Sequence, residues 1–139
     1  MTPITYQQTN QIPQTALLKL YNDAGWTAYT QNPEQLENAI KNSLYVLIAK
    51  EKDELVGLIR VIGDGFTIAY IQDILVLKAY KRRGIGTLLM KQMLENFSHI
   101  RQKVLLTDDN KETRGFYESL GFQSCDKGKL VSFAKLENS

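Results

Sequence analysis

The sequence predicts an α/β fold in which helices pack on one mixed sheet. Three observations carry that prediction. Residues 44–50, 55–62 and 67–77 are apolar, β-rich runs separated by the short turns Glu51-Lys52-Asp53-Glu54 and Gly63-Asp64-Gly65, which makes an antiparallel meander. Residues 71–97 then pass from an apolar run through Gly84-Ile85-Gly86 into a segment where Ile85, Leu88, Leu89, Met93 and Phe97 recur at helical spacing. The apolar run Val104-Leu105-Leu106 follows, so the strand–helix–strand unit adds a parallel pair to the meander.

The remaining elements follow in order. Residues 4–8 alternate weakly and form a short first strand. Thr9-Asn10-Gln11-Ile12-Pro13 starts a helix whose stripe Leu17, Leu18, Tyr21 runs out at Gly25. Asn32-Pro33-Glu34 starts a second helix, with Leu36, Ala39 and Ile40 on one side. The loop between them, residues 25–30, carries the chain's only Trp, Trp26, and Tyr29. Such rings either plug the core edge or line a pocket. Asp109 and Glu112 fit a capping box and Gly121 a helix stop, so a short helix lies between. Residues 123–126 and 130–135 read as a terminal hairpin around Lys127-Gly128-Lys129.

Composition narrows the function. A chain of 139 residues with net charge +2 is about one domain, and its charge is too small to imply nucleic-acid or membrane partners. The single cysteine, Cys125, excludes an internal disulfide and fits a reducing cytoplasm. With one His and one Cys, no metal site of usual spacing can be drawn. No apolar run approaches the ~18 residues of a membrane span. One cytoplasmic domain over residues 1–139 is the expectation.

The glycine turn is the informative stretch. The first N–H groups of a helix lack intrahelical partners and carry partial positive charge, and glycines let an anion approach the backbone closely. Arg82 and Arg83 lie beside it. No Lys follows Gly86, which rules out a Walker A loop. Leu89 stands where a dinucleotide fingerprint needs a small residue. What remains, Val76-Leu77-Lys78-Ala79-Tyr80-Lys81-Arg82-Arg83-Gly84-Ile85-Gly86, resembles motif A of the GNAT superfamily of N-acetyltransferases, Val-x-x-x-x-Gln/Arg-x-x-Gly-x-Gly/Ala. Lys81 departs from it, standing where the family has Gln or Arg. Asn110, Phe116-Tyr117 and Gly121-Phe122 resemble the family's motif B, in the same order along the chain.

The resemblance implies a mixed sheet of about six to seven strands flanked by about four helices. It implies acetyl-CoA as co-substrate, with no metal, and a small-molecule or peptide amine as acceptor; homodimers are common in the family. It places the coenzyme pyrophosphate on Arg82, Arg83, Gly84, Ile85, Gly86 and Thr87. The pantetheine arm falls along Leu75, Val76 and Leu77, with Asn110 reaching it from the opposite strand. Tyr117 takes the position of the tyrosine near the coenzyme sulfur and is expected to act as general acid.

An alkylamine with a pKa near ~10.4 needs roughly 4–5 kcal/mol to become neutral at pH 7, so a base is expected as well. Asp73, mid-strand among apolar residues, is the choice for base, because an unpaired carboxylate is costly to bury; pairing with Arg60 is the structural alternative. Asp64 and Glu118 are weaker choices. Trp26 and Tyr29 would line the acceptor site and suit an amine bearing a flat or apolar group. A non-catalytic acyl-CoA-binding module of the same fold is the competing function.

Overall fold

The computed structural model describes residues 2–137, which form two compact units, one running to Leu105 and the other beginning at Leu106. The first unit is built on a five-stranded sheet of order β1-β2-β3-β4-β5. β1 (Ile4–Gln8), β2 (Tyr45–Glu51), β3 (Glu54–Gly63) and β4 (Ile68–Val76) are antiparallel neighbours, and β5 (Gln102–Leu105) lies parallel to β4. The helices of this unit are α1 (Gln14–Asp23), the single turn α2 (Thr27–Thr30), α3 (Pro33–Lys41) and α4 (Ile85–Asn96).

Burial follows the sequence pattern. β2 and β3 are buried almost without interruption, as strands covered on both faces must be, whereas β4 alternates, burying Ala69, Ile71, Asp73 and Leu75. α4 seats Ile85, Leu89, Met90 and Met93 against the sheet; Leu88, expected on that stripe, is 40% exposed and Met90 replaces it. Each such side chain contributes about 1.5–3 kcal/mol. α4 comes close because β3 has no side chain at Gly57: a Cβ there would lie 3.2 Å from Ile85 Cγ2 and 3.4 Å from Leu89 Cδ1. The β3–β4 turn needs Gly63 more strictly, since a Cβ would stand 2.2 Å from the Ile68 carbonyl oxygen. The α3 start is as expected: Asn32 accepts the Gln35 N–H at 3.2 Å ahead of Pro33.

The second unit contains α5 (Lys111–Ser119) and a 3-10 turn at Cys125–Lys127. Its helix cap differs from the expected capping box. Asn110, not Asp109, accepts the Thr113 N–H (2.8 Å), and Asp109 instead pairs with Arg114 at 2.6 Å. The helix ends on Gly121 at φ +91°, where the Gly121 and Phe122 N–H groups return to the Glu118 and Tyr117 carbonyls.

Two expectations are corrected. Residues 25–30 are not an open loop: Trp26 caps the turn α2. The terminal hairpin does not form among the described residues, because beyond Gly128 the backbone finds no strand partner, so the sheet has five strands rather than six or seven. No described helix is long and apolar enough to cross a membrane, and no group of three metal-ligating side chains occurs among the described residues.

Candidate active site

The turn between β4 and α4 is a row of unpaired donors. Lys81 N–H closes the 3-10 turn onto the Lys78 carbonyl, and the next main-chain N–H with an acceptor is that of Leu88, on Gly84. The N–H groups of residues 82–87 therefore have no partner among the described residues. Two left-handed residues shape the row, Arg82 at φ +67° and Gly84 at φ +78°. A left-handed residue other than Gly is uncommon. The two arginines differ. Arg83 lies 3.6 Å from Glu51 and over the Tyr80 ring at 5.1 Å, whereas Arg82 is exposed and has no charged partner among the described residues. The Tyr80 hydroxyl reaches Glu51 at 2.8 Å and Glu54 at 3.2 Å, and those carboxylates, Glu51 foremost, push its pKa up to about 12.

An open strand edge runs up to this turn. β4 and β5 pair only from Ile68↔Gln102 to Ile71↔Leu105, so residues 72–76 have no parallel partner among the described residues. Leu77 N–H is donated to the Val56 carbonyl at 2.9 Å, and Leu75 is paired opposite Leu58. Peptide groups alternate along a strand, so Leu75 and Leu77 turn theirs toward β3, while Ile74 and Val76 turn theirs to the side that β5 has left. Of Leu75, Val76 and Leu77, the residues expected along the arm, Val76 turns its main-chain groups to the open edge as Ile74 does, whereas Leu75 and Leu77 turn theirs to β3. The alternation was readable from sequence, but its phase was not.

Asp73 is 3% exposed and fully engaged. Its Oδ2 accepts from Arg60 Nε at 2.8 Å and from the Tyr21 hydroxyl at 2.9 Å, and its Oδ1 accepts from the Tyr29 hydroxyl at 2.9 Å. The β3–β4 register passes from Arg60↔Asp73 to Val61↔Ile71, leaving Gln72 as a bulge, and Gln72 Nε2 donates to the Tyr29 oxygen at 3.0 Å. Burial, then the Asp73 charge, pushes the Tyr21 hydroxyl well above its ordinary value, and Tyr29 rises for the same reasons. Both phenols stay protonated and donating. Arg60 is held ionised: burial opposes its charge, but Asp73 outweighs that and raises its pKa. Both carboxylate oxygens of Asp73 are thus occupied in a nearly fully buried setting, and the pairing with Arg60 given as the structural alternative is present.

The rings around it form one cluster. Tyr21 meets Trp26 edge-on at 5.9 Å and Tyr29 at 5.1 Å, and Trp26 and Tyr29 lie 6.1 Å apart. Trp26 and Tyr29 are each half-buried, so each presents part of its ring to solvent. Sequence reasoning missed Tyr21 and Gln72. Tyr21 was visible only as a polar tip on an apolar helix stripe, and nothing in the sequence marked the bulge. Asp64 is a turn residue: it accepts N–H bonds from Phe66, Thr67 and Ile68 and the Thr67 hydroxyl, which hold its carboxyl far below the usual range. Glu118 pairs with Lys127 at 3.2 Å.

In the second unit, Tyr117 packs edge-on against Phe116 at 5.1 Å and Phe122 at 5.9 Å. Burial raises its pKa, offset in part by a hydrogen bond with Thr107, so the phenol keeps its proton at neutral pH. Asn110 lies at the start of α5, not on a strand, and spends its oxygen on the cap.

Comparison with known proteins identifies the family. The family model of the acetyltransferase (GNAT) domain matches residues 6–134. A GNAT-family acetyltransferase of Streptococcus pneumoniae TIGR4 is 36% identical, with 99% of this chain and 100% of that one covered and a TM-score of 0.87. A curated acetyltransferase candidate of Gibberella zeae is 33% identical over 93 residues, 63% of this chain and 51% of its own, so the match spans about half of that relative. The fold is also that of an aminoglycoside N-acetyltransferase solved in complex with CoA, at 16% identity and TM-score 0.68, with 99% and 96% of the two chains covered. The chain belongs to the GNAT acetyltransferase family.

Proposed function

We propose that the protein is an acetyl-CoA-dependent N-acetyltransferase acting on a primary amine, either a small amine or a lysine-type side chain. The observation that carries this reading is the row of unpaired main-chain N–H groups at residues 82–87, contiguous with the open edge of β4. The row and the Arg82 side chain suit a pyrophosphate, and the free main-chain groups of Ile74 and Val76 suit an amide-bearing arm added as a strand. The CoA complex of the aminoglycoside enzyme supports the same ligand by analogy.

In this reading the neutral amine nitrogen attacks the thioester carbon. The C–N bond forms as the C–S bond breaks, and Tyr117 gives its phenol proton to the departing thiolate. The proton shed by nitrogen restores the phenol through solvent. A main-chain N–H on the open edge, that of Ile74 or Val76, polarises the carbonyl. Trp26 and Tyr29 form a wall for the acceptor, held in place by Asp73. Residence in the cytoplasm belongs to the same reading.

Thermal unfolding with acetyl-CoA, with ATP as control, tests the ligand. Acetyl-CoA at ~100 times its dissociation constant should add about 2.7 kcal/mol, a rise of several degrees that ATP does not reproduce. No shift at millimolar acetyl-CoA would remove the reading. A panel of amines followed by thiol release tests turnover. A shift without thiol release from any amine would leave only an acyl-CoA-binding module.

A further inference from the structure

The two arginines of the β4–α4 turn differ because of a carboxylate that the proposed chemistry does not use. Glu51 ends β2. Its Oε1 accepts the Tyr80 hydroxyl at 2.8 Å, and its Oε2 lies 3.6 Å from Arg83 Nη2. Glu54 shares the same hydroxyl at 3.2 Å but has a cation of its own, Lys19 at 2.7 Å. Arg83 is the one cationic partner of Glu51 among the described residues.

The two ends of this pair are held unequally. Tyr80 fixes the carboxylate, and its own N–H closes on the Leu77 carbonyl at 2.8 Å. The Arg83 guanidinium makes no hydrogen bond among the described residues, since 3.6 Å is too long for one. It rests over the Tyr80 ring at 5.1 Å, with its side chain 31% exposed. When the pair opens, the guanidinium is the group that moves. Its main-chain N–H belongs to the unpaired row at residues 82–87, so the side chain is rooted where a diphosphate would lie. All of these residues belong to the unit that ends at Leu105.

We propose that Glu51 is a positioning residue that restrains Arg83, weakening the hold on the coenzyme diphosphate and keeping the release of spent CoA fast. The inference rests on the acetyl-CoA reading. A diphosphate on the row competes with Glu51 for one guanidinium. If the diphosphate takes it, Glu51 is left without its cation beside an added anion. If Glu51 keeps it, Arg82 is the arginine side chain left to bind. Both results oppose binding, and both come from the same carboxylate.

Glu51→Gln removes the charge and keeps an acceptor for the Tyr80 hydroxyl. Calorimetric titration with free CoA should show binding about threefold or more tighter than in the natural chain, and stopped-flow displacement a correspondingly slower release. A merely structural role would weaken binding instead. In an Arg83→Gln background the same change should lose most of its effect. Glu54→Gln takes a charge from beside the same hydroxyl without touching Arg83, and should leave the affinity within about twofold. Unchanged or weaker binding in Glu51→Gln, a full gain without Arg83, or an equal gain from Glu54→Gln overturns the proposal and leaves the acetyl-CoA reading standing. A natural chain that binds no CoA removes both.

Discussion

Arg60 Nε lies 2.8 Å from Asp73 Oδ2, across the last opposed pair of β3 and β4 before the bulge at Gln72. Two helix-borne hydroxyls, from Tyr21 and Tyr29, close on the same carboxylate. The pair therefore fixes three things at once: the register of β4, the seat of α1 and the turn that carries Trp26. A buried charge that loses its partner costs about 3–5 kcal/mol. Asp73→Ala should lower the unfolding free energy by about that amount in urea, and the double variant Arg60→Met, Asp73→Leu should lose less than the sum of the single changes. Additive losses would show that the two charges act independently.

Tyr117→Phe separates chemistry from binding. The variant keeps the ring that packs on Phe116 and Phe122 and loses only the hydroxyl. Turnover should fall about 10²–10⁴-fold while the dissociation constant for acetyl-CoA stays put. Single-turnover kinetics alongside a binding isotherm would read both; unchanged turnover would remove Tyr117 as the acid.

Two glycines next to α4, Gly84 at its start and Gly57 on β3 beneath it, should fail differently. At Gly84 an added Cβ meets open space, but φ is +78°, so Gly84→Ala costs about 1–2 kcal/mol of backbone strain and disturbs the row of N–H groups. Acetyl-CoA binding should weaken about tenfold or more. At Gly57 the backbone has no left-handed strain and the obstacle is steric, Ile85 Cγ2 at 3.2 Å. Gly57→Ala should lower stability by about 1–3 kcal/mol through an outward shift of α4. Calorimetry and ligand titration of both variants would distinguish the two mechanisms.

Asp64 gives a pH signature. Its carboxyl is held below the usual range by the Thr67 hydroxyl and by main-chain N–H groups of Thr67, Phe66 and Ile68, and in the unfolded chain it returns to about 3.9. The unfolded state then binds the proton more readily, so the contribution of Asp64 is fully present above pH ~4 and fades as pH falls below it. The difference in midpoint between the natural chain and Asp64→Ala should be constant near neutrality and shrink in acid. A difference that grows on acidification would contradict the assignment.

The sequence made the strands, the glycine turn and most of the helix stripes legible because periodicity and glycine placement are local properties. The Asp73 environment was legible only as a choice between a free base and a partner of Arg60. Deciding it required the register, and the register depends on a one-residue bulge at Gln72 that leaves no compositional mark. The same limit hid the phase of the β4 edge, since which alternate peptide faces outward is set by the Leu77–Val56 bond between segments distant in sequence. The helix cap was misplaced by one residue because Asp109 and Asn110 are both good caps, and Arg114 drew Asp109 away. The terminal hairpin was read from β-rich residues alone, and such residues form strands only where another strand meets them.

The open edge of β4 also bears on how far this sequence can drift. The groups that Ile74 and Val76 turn outward are peptide N–H and C=O, which nineteen of the twenty amino acids supply in full and only proline lacks in part. A ligand held there is read by atoms that mutation rarely alters. What such a ligand depends on is therefore backbone shape: the left-handed turn at Gly84 and the Leu77–Val56 bond that sets the phase of the edge.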